Sequence, residues 1–161
     1  PPTASWPYTP NQWAVEQDEG SQGRFEVLSP AESPLLASLS YRLAPAPAAS
    51  PYVAAVTYDV GPLFEADRLT FQASAMAPMR LSVQFRSSSG GRERRWRRSV
   101  YLDPTPREVT VLFADAQGVD DAKGSPLAIR DVTSLLFVVD TVNALPGTSG
   151  AVTLVNLRAE R

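Results

Sequence analysis

The run "MRLSVQFRS", residues 79 to 87, alternates without a break: Leu81, Val83 and Phe85 form one set, and Arg80, Ser82, Gln84 and Arg86 the other. Successive side chains of a strand point to opposite faces, so this spacing sets one group on a core and the other towards solvent. The same period recurs in "ASLSYRL" (37–43), where Leu39, Tyr41 and Leu43 alternate with Ser38, Ser40 and Arg42. Further strand-length runs are residues 24–28, "YVAAVTYDV" (52–60), "RLTFQASA" (68–75), "RRWRRSVYL" (94–102), "REVTVLF" (107–113), "TSLLFVVD" (133–140) and "AVTLVNLR" (151–158). Turns of Pro, Gly, Asp and Asn separate them, and no stretch shows a helical apolar stripe. About nine short strands spaced in this way predict an all-β sandwich or barrel. A short helical turn is expected only near "PLFEAD" or "DVTS". The segment "APAPAASP" (44–51) contains three prolines that cannot donate to a ladder, which makes it a loop.

Residues 1–13 carry four prolines and are expected to form an extended N-terminal arm or linker. That leaves 14–161 as a single β-sandwich domain, large enough to bury one core. The chain begins at Pro1 and shows no signal-peptide pattern, so the expectation is a mature product or a piece excised from a longer protein. No apolar run approaches the roughly 18 residues of a membrane-crossing helix, and no direct membrane insertion is expected.

Histidine and cysteine are both absent. Their absence excludes Ser-His-Asp and Cys-His catalysis, imidazole or thiolate metal sites, and disulfide or thiol redox chemistry. Carboxylates, hydroxyls, tyrosines, arginines and the single lysine, Lys123, remain. Two carboxylates suffice for glycoside hydrolysis. The candidates Glu65, Asp67, Asp103, Asp115 and Asp140, however, accompany no long loop that would build a deep cleft, and no enzyme is expected. The net charge of −2 gives no overall attraction to nucleic acid or anionic membranes. Fourteen arginines against one lysine read as GC-rich coding before they read as function.

Against that background, residues 92–98 hold five arginines around Trp96. If Val100 and Leu102 point inward, Arg95, Arg97, Ser99 and Tyr101 face outward and Trp96 falls on the core side. Arg98 must then reach for water or for a carboxylate. One reading is an edge strand guarded by charge against pairing with other sheets. The other is a polar platform, with Arg95, Arg97 and Tyr101 joined by Gln84 and Arg86 of the neighbouring strand. Such a platform suits a sugar: an aromatic ring packs on the C–H face of a pyranose, while planar amides and guanidiniums donate to hydroxyl pairs. Nucleic acid needs a longer basic stripe with several stacking aromatics, and Glu93 and Asp103 interrupt this one, so no nucleic-acid partner is expected. At the end of the "SLLFVVD" run, Asp140, Thr141, Asn143 and Thr148 are a second group able to reach a ligand, although Asp and Asn there also make turn bonds to their own backbone.

In this order, "GRERRWRRSVYLDPTPREVTVLFAD" followed by "SPLAIRDVTSLLFVVDTVNALPGTSGAVTLVNLRAER" resembles the carbohydrate-binding-module type of galactose-binding-like jelly rolls. The matching pieces are Trp96 and Tyr101, Thr105 to Asp115, Pro126 and Leu127, Val132 to Phe137, and Thr148 to Leu157. The resemblance implies a jelly-roll β-sandwich of about eight to nine antiparallel strands and a non-catalytic binding module. We expect an extracellular or periplasmic, bacterial module appended to a larger exported or membrane-anchored protein, with a polysaccharide or glycan, acidic in view of the arginines, as ligand at Gln84, Arg86, Arg95, Arg97, Tyr101, Asp140 and Asn143. The alternative is an interaction or sensory ectodomain that binds a protein surface of its parent chain. Many such modules hold a structural calcium between an early acid and an aspartate of the last strand. Here the corresponding residues are Glu16, Asp18 and Asn156, and the neutral Asn156 departs from that pattern, since calcium asks for six to eight oxygens with charge among them. No other cofactor is expected.

Overall fold

The computed structural model describes residues 3–6, 12–88 and 91–161. Among them are twelve strands: β1 (Thr3–Ser5), β2 (Trp13–Gln17), β3 (Gln22–Val27), β4 (Leu36–Arg42), β5 (Tyr52–Thr57), β6 (Arg68–Ala75), β7 (Met79–Ser87), β8 (Arg94–Leu102), β9 (Arg107–Leu112), β10 (Gln117–Val119), β11 (Val132–Asp140) and β12 (Ser149–Glu160). One sheet has the order β3-β4-β12-β6-β9, with β1 beside the end of β12; the other runs β10-β8-β7-β11-β5-β2. Every pairing is antiparallel. From β4 onward the chain passes repeatedly from one sheet to the other, which wraps both around one core in a jelly-roll sandwich.

The core follows from the alternation. Leu81, Val83 and Phe85 of β7 are fully buried between the sheets, with Leu39 of β4, Phe71 of β6, Phe137 of β11 and Leu154 of β12. Aromatic rings tie the layers together. Trp13 of β2 stacks on Phe25 of β3 at 4.8 Å, Phe71 meets Phe137 edge-on at 5.5 Å, and Phe85 meets Phe113 at 5.3 Å. Such pairs add to what their burial alone contributes. The helical turns expected near "PLFEAD" and "DVTS" are single 3₁₀ turns at Gly61–Leu63 and Ile129–Asp131.

The stretch expected as an extended arm or linker lies against the sandwich wherever it is described. Residues Thr3 to Ser5 pair with Glu160 to Arg158, and Trp6 is fully buried. The Trp6 amide donates to the Leu157 carbonyl at 3.1 Å and its indole N–H to the Asp59 carbonyl at 2.7 Å. Trp13 already belongs to β2. The buried Trp6 and the partly buried Trp13 outweigh the donors that the prolines remove. Residues 1, 2 and 7–11 of that stretch, and Ser89 and Gly90 of the "SSSGG" turn, lie outside the described residues.

Two local features escape a period-two pattern. Strand β10 has only three residues, and Gly118 within it lies so close to the Ala122 carbonyl oxygen that an added Cβ would stand 1.9 Å from it. In β12 the register shifts between Val155 and Arg158, where Asn156 adopts φ of 53° and its amide donates to the Leu35 carbonyl at 2.7 Å. A left-handed residue in a bulge favours asparagine over most other side chains.

Replacing Trp6 with alanine is expected to lower unfolding free energy by about 3–5 kcal/mol, the cost of emptying a large buried site. Denaturant unfolding followed by fluorescence measures it; a change within about 0.5 kcal/mol, as for a surface residue, would contradict the docking of this segment.

Candidate functional site

The outer face of the β10-to-β2 sheet is where the arginine-rich strand points. Cross-strand register sets Arg95 opposite Arg86, Arg97 opposite Gln84, Ser99 opposite Ser82 and Tyr101 opposite Arg80, while Trp96 turns inward and is buried. This outer face is not a plain solvated surface. Ser82, Gln84 and Ser134 are buried there, and Ala54, Val56, Leu136 and Val138 form a second apolar cluster, separate from the main core, with Tyr52 packed against it. The register places Leu136 between Gln84 and Val56, and Val138 between Ser82 and Ala54.

Above this floor lies a cleft of about 330 Å³. Gln84, Arg86, Arg95 and Arg97 line one side, Ser50 to Tyr52 and Glu16 the other, and Asp140 to Val142 one end. A second depression of about 310 Å³ continues past Arg97 towards Arg80, Ser82, Arg98, Ser99, Asp115 and Asn143. Of the ligand residues expected from sequence, the structure brings Gln84, Arg86, Arg95, Arg97 and Asp140 into one cleft and Asn143 into the adjoining depression. Tyr101 shares their face but lines neither: it is 43% exposed, and the Arg107 guanidinium lies 5.1 Å over its ring.

Arg86 is held in place. It donates to both oxygens of Glu16 at 2.8 Å and to Ser134 Oγ at 2.8 Å, and the Tyr58 hydroxyl donates to Glu16 Oε1 at 3.1 Å. Because β11 and β5 separate β7 from β2, this pair arches across two strands. Its side chains are only 13% and 29% exposed, and the geometry is bidentate. It therefore outranks a pair such as Arg24–Glu26, 3.8 Å apart with side chains 76% and 53% exposed, whose net contribution is near zero. The Arg86 hydrogen bonds hold the Glu16 carboxyl below its ordinary range despite burial. Burial, with Glu16 and Asp18 nearby, pushes the Tyr52 phenol up, so it stays a donor. Burial also raises the Asp140 carboxyl, against the pull of the Val142 amide and of Arg97. Asp140 Oδ1 accepts the Val142 amide at 3.1 Å, a turn bond, and the residue lies on the cleft lining.

The other arginines of the run divide by position. Arg94 lies over Trp96, 5.3 Å from its ring centre, and donates to Ser125 Oγ and to the Asp121 carbonyl, while Arg92 meets Asp121. Arg98 is exposed. Strand β8 is not a simple guarded edge, since β10 pairs with it over Arg95 to Arg97.

The residues considered for calcium do not gather. Glu16 is engaged by Arg86, Asp18 Oδ1 accepts the Tyr52 amide at 2.9 Å, and Asn156 stands in the bulge of the other sheet. These three do not fit a calcium ion, and no group of three or more acidic side chains suited to a metal occurs among the described residues. Of the carboxylates considered for hydrolysis, Glu65 is paired with Arg130, Asp67 with Arg68 and Asp103 with Arg107, away from the cleft.

No family model matches the chain, and no curated protein does. Solved structures do. A family 11 carbohydrate-binding module from Clostridium thermocellum, in complex with a β-1,3-1,4-mixed-linked tetrasaccharide, superposes with a TM-score of 0.67 at 15% identity, over 93% of this chain and 89% of that one. A family 30 module of a cellulosomal cellulase of Clostridium thermocellum gives 0.52 at 11% identity, over 90% and 96%. A CBM4 structure gives 0.50 at 18%, over 94% and 96%. The chain has the jelly-roll fold of these modules. Within that jelly roll, sequence reasoning passed over Tyr52, the Glu16 strap and the floor of Ala54, Val56, Leu136 and Val138. A signal was present in "YVAAVT" and "SLLFVV", where both alternating sets are apolar, as in strands covered on both faces.

With its pKa lowered in the folded state, Glu16 contributes stability that is complete above the ordinary value of 4.5 and is lost as pH falls through the folded value. Glu16→Gln is expected to cost about 1.5–3 kcal/mol at pH 7 and progressively less below pH 4.5. Urea unfolding of both proteins at pH 7 and pH 3 measures the difference; a gap that does not narrow in acid would contradict the strap.

Proposed function

We propose that the chain is a non-catalytic carbohydrate-binding module whose ligand lies in the cleft over β8, β7, β11 and β5. One observation carries this: an apolar floor of Ala54, Leu136 and Val138 is flanked by Tyr52 on one side and by planar donors, Gln84, Arg95 and Arg97, on the other. A pyranose presents the same combination, a C–H face and a rim of hydroxyl pairs. Support also comes from the jelly-roll neighbours, one of which holds an oligosaccharide. The glycan is acidic in this reading, because Arg97 forms no ion pair or hydrogen bond among the described residues and Arg80 bonds only to Ser99 there. The module is appended to a larger exported or membrane-anchored protein and works outside the cytoplasm, in the extracellular space or periplasm. No helix among the described residues is long and apolar enough to cross a membrane.

A glycan array followed by titration calorimetry tests the assignment. Tyr52→Ala is expected to weaken the best array ligand at least tenfold, and Tyr101→Ala to change it less than about twofold. No glycan above background, or equal binding by wild type and Tyr52→Ala, would overturn the reading and favour a protein-interaction ectodomain.

A further inference from the structure

Arg97 is the meeting point of three depressions. Besides the cleft and the Arg80 depression, it lines a third, of about 740 Å³, beyond the edge of β8. Gln117 to Asp120 of β10 and its following turn form one wall, and Lys123 to Pro126 the other. This wall is built in advance of any ligand. Gly118 abuts the Ala122 carbonyl, Asp120 is fixed at φ of 52°, the Trp96 indole donates to the Ser125 carbonyl at 2.8 Å, and Arg94 holds Ser125 Oγ at 3.0 Å. A preformed hollow adds little ordering cost on binding. Its cations are Arg97 and Lys123, neither of which forms an ion pair among the described residues. The acid on its wall, Asp120, lies 3.7 Å from Arg95; the acids lining the other two depressions are Glu16, Glu93 and Asp140 in the cleft, with Glu16 bound by Arg86, and Asp115 beside Arg80.

Resting on the glycan reading of the cleft, we infer that the ligand is a branched polysaccharide with an acidic branch: its main chain occupies the cleft over Leu136 and Val138, and a carboxylate-bearing branch leaves at Arg97 for the hollow beside Lys123. A straight chain fills the cleft and the Arg80 depression but has no part to place across β10. A branch does, and a planar guanidinium at the fork can hold its carboxylate in a two-point contact. Arg97 is thus the residue that distinguishes substituted from plain chains.

Titration calorimetry on the intact chain tests this with five probes: a β-1,4-xylan with and without glucuronic acid branches, a β-1,4-glucan with and without glucuronate-bearing branches, and linear polygalacturonate. At least one branched acidic chain is expected to bind tenfold or more tighter than its unbranched partner and than polygalacturonate. Arg97→Gln is expected to bring the branched-to-plain ratio within about twofold and Lys123→Gln to lower it at least threefold, while the distant Arg130→Gln leaves it unchanged. Circular dichroism of each variant checks that it is folded. Equal affinity for branched and plain chains, tighter binding of polygalacturonate, an undiminished ratio in Arg97→Gln, or no binding of any probe would overturn the inference. In each of those cases the glycan array and the Tyr52→Ala comparison still decide the broader reading on their own results.

Discussion

A two-layer sandwich covers each sheet on one face only, yet the central ladder β7, β11 and β5 is buried on both. Phe85, Phe137 and Val53 fill the interior, while Gln84, Leu136, Val138 and Ala54 are buried on the outside. Burying Gln84 and Ser82 without partners would cost free energy; they answer each other instead, with Gln84 Nε2 donating to Ser82 Oγ at 3.1 Å. The outer apolar cluster has no second sheet to cover it. Its cover comes from within the same face: the arching Arg86–Glu16 pair, Tyr52, and the chain on either side of Asp140. What is left between them is the cleft. The cleft is thus a consequence of an apolar strip on a sheet face that the rest of the fold does not reach.

The same geometry explains how an acidic chain can display a strongly basic run. Alternation along β8 sends Trp96 into the core and Arg95 and Arg97 to the outer face, and the start of the run takes Arg92 and Arg94 to the turn at Asp121. Arg94, with the Trp96 indole, holds Ser125 of the wall beyond β10. Most exposed ion pairs elsewhere on the surface add little to stability. Their effect is to neutralise arginines outside the cleft, which leaves Arg97 as a cation directed into it.

The strands of seven residues or more, β4, β6, β7, β8, β11 and β12, were legible because most of them alternate apolar and polar residues, and β11 is a strand-length apolar run bounded by turn residues. Strands β6, β7 and β8 have the bounds that the spacing predicts. Strand β10, with "QGV", is too short to show a period, and β1 and Trp6 were hidden by the prolines beside them. The basic wall of the site was legible for the same reason as β8: Arg95 and Arg97 fall on one face with Gln84 and Arg86. The opposite wall was not. Tyr52 pairs with Asp140, a register between strands far apart in the chain, and Tyr101 was favoured instead because it shares a strand with the arginines. Asn156 illustrates the limit of a motif: its place near the end of the last strand suggested a metal ligand, whereas a register shift makes it a bulge residue.

The account turns on which face of the sandwich takes the ligand, and amide and side-chain chemical-shift mapping with the tightest-binding array oligosaccharide measures that directly. Perturbations concentrated at Tyr52, Ala54, Gln84, Arg97, Leu136 and Val138 are predicted. Perturbations centred instead on the outer face of the other sheet, at Ser40, Thr153 and Gln72, would contradict it.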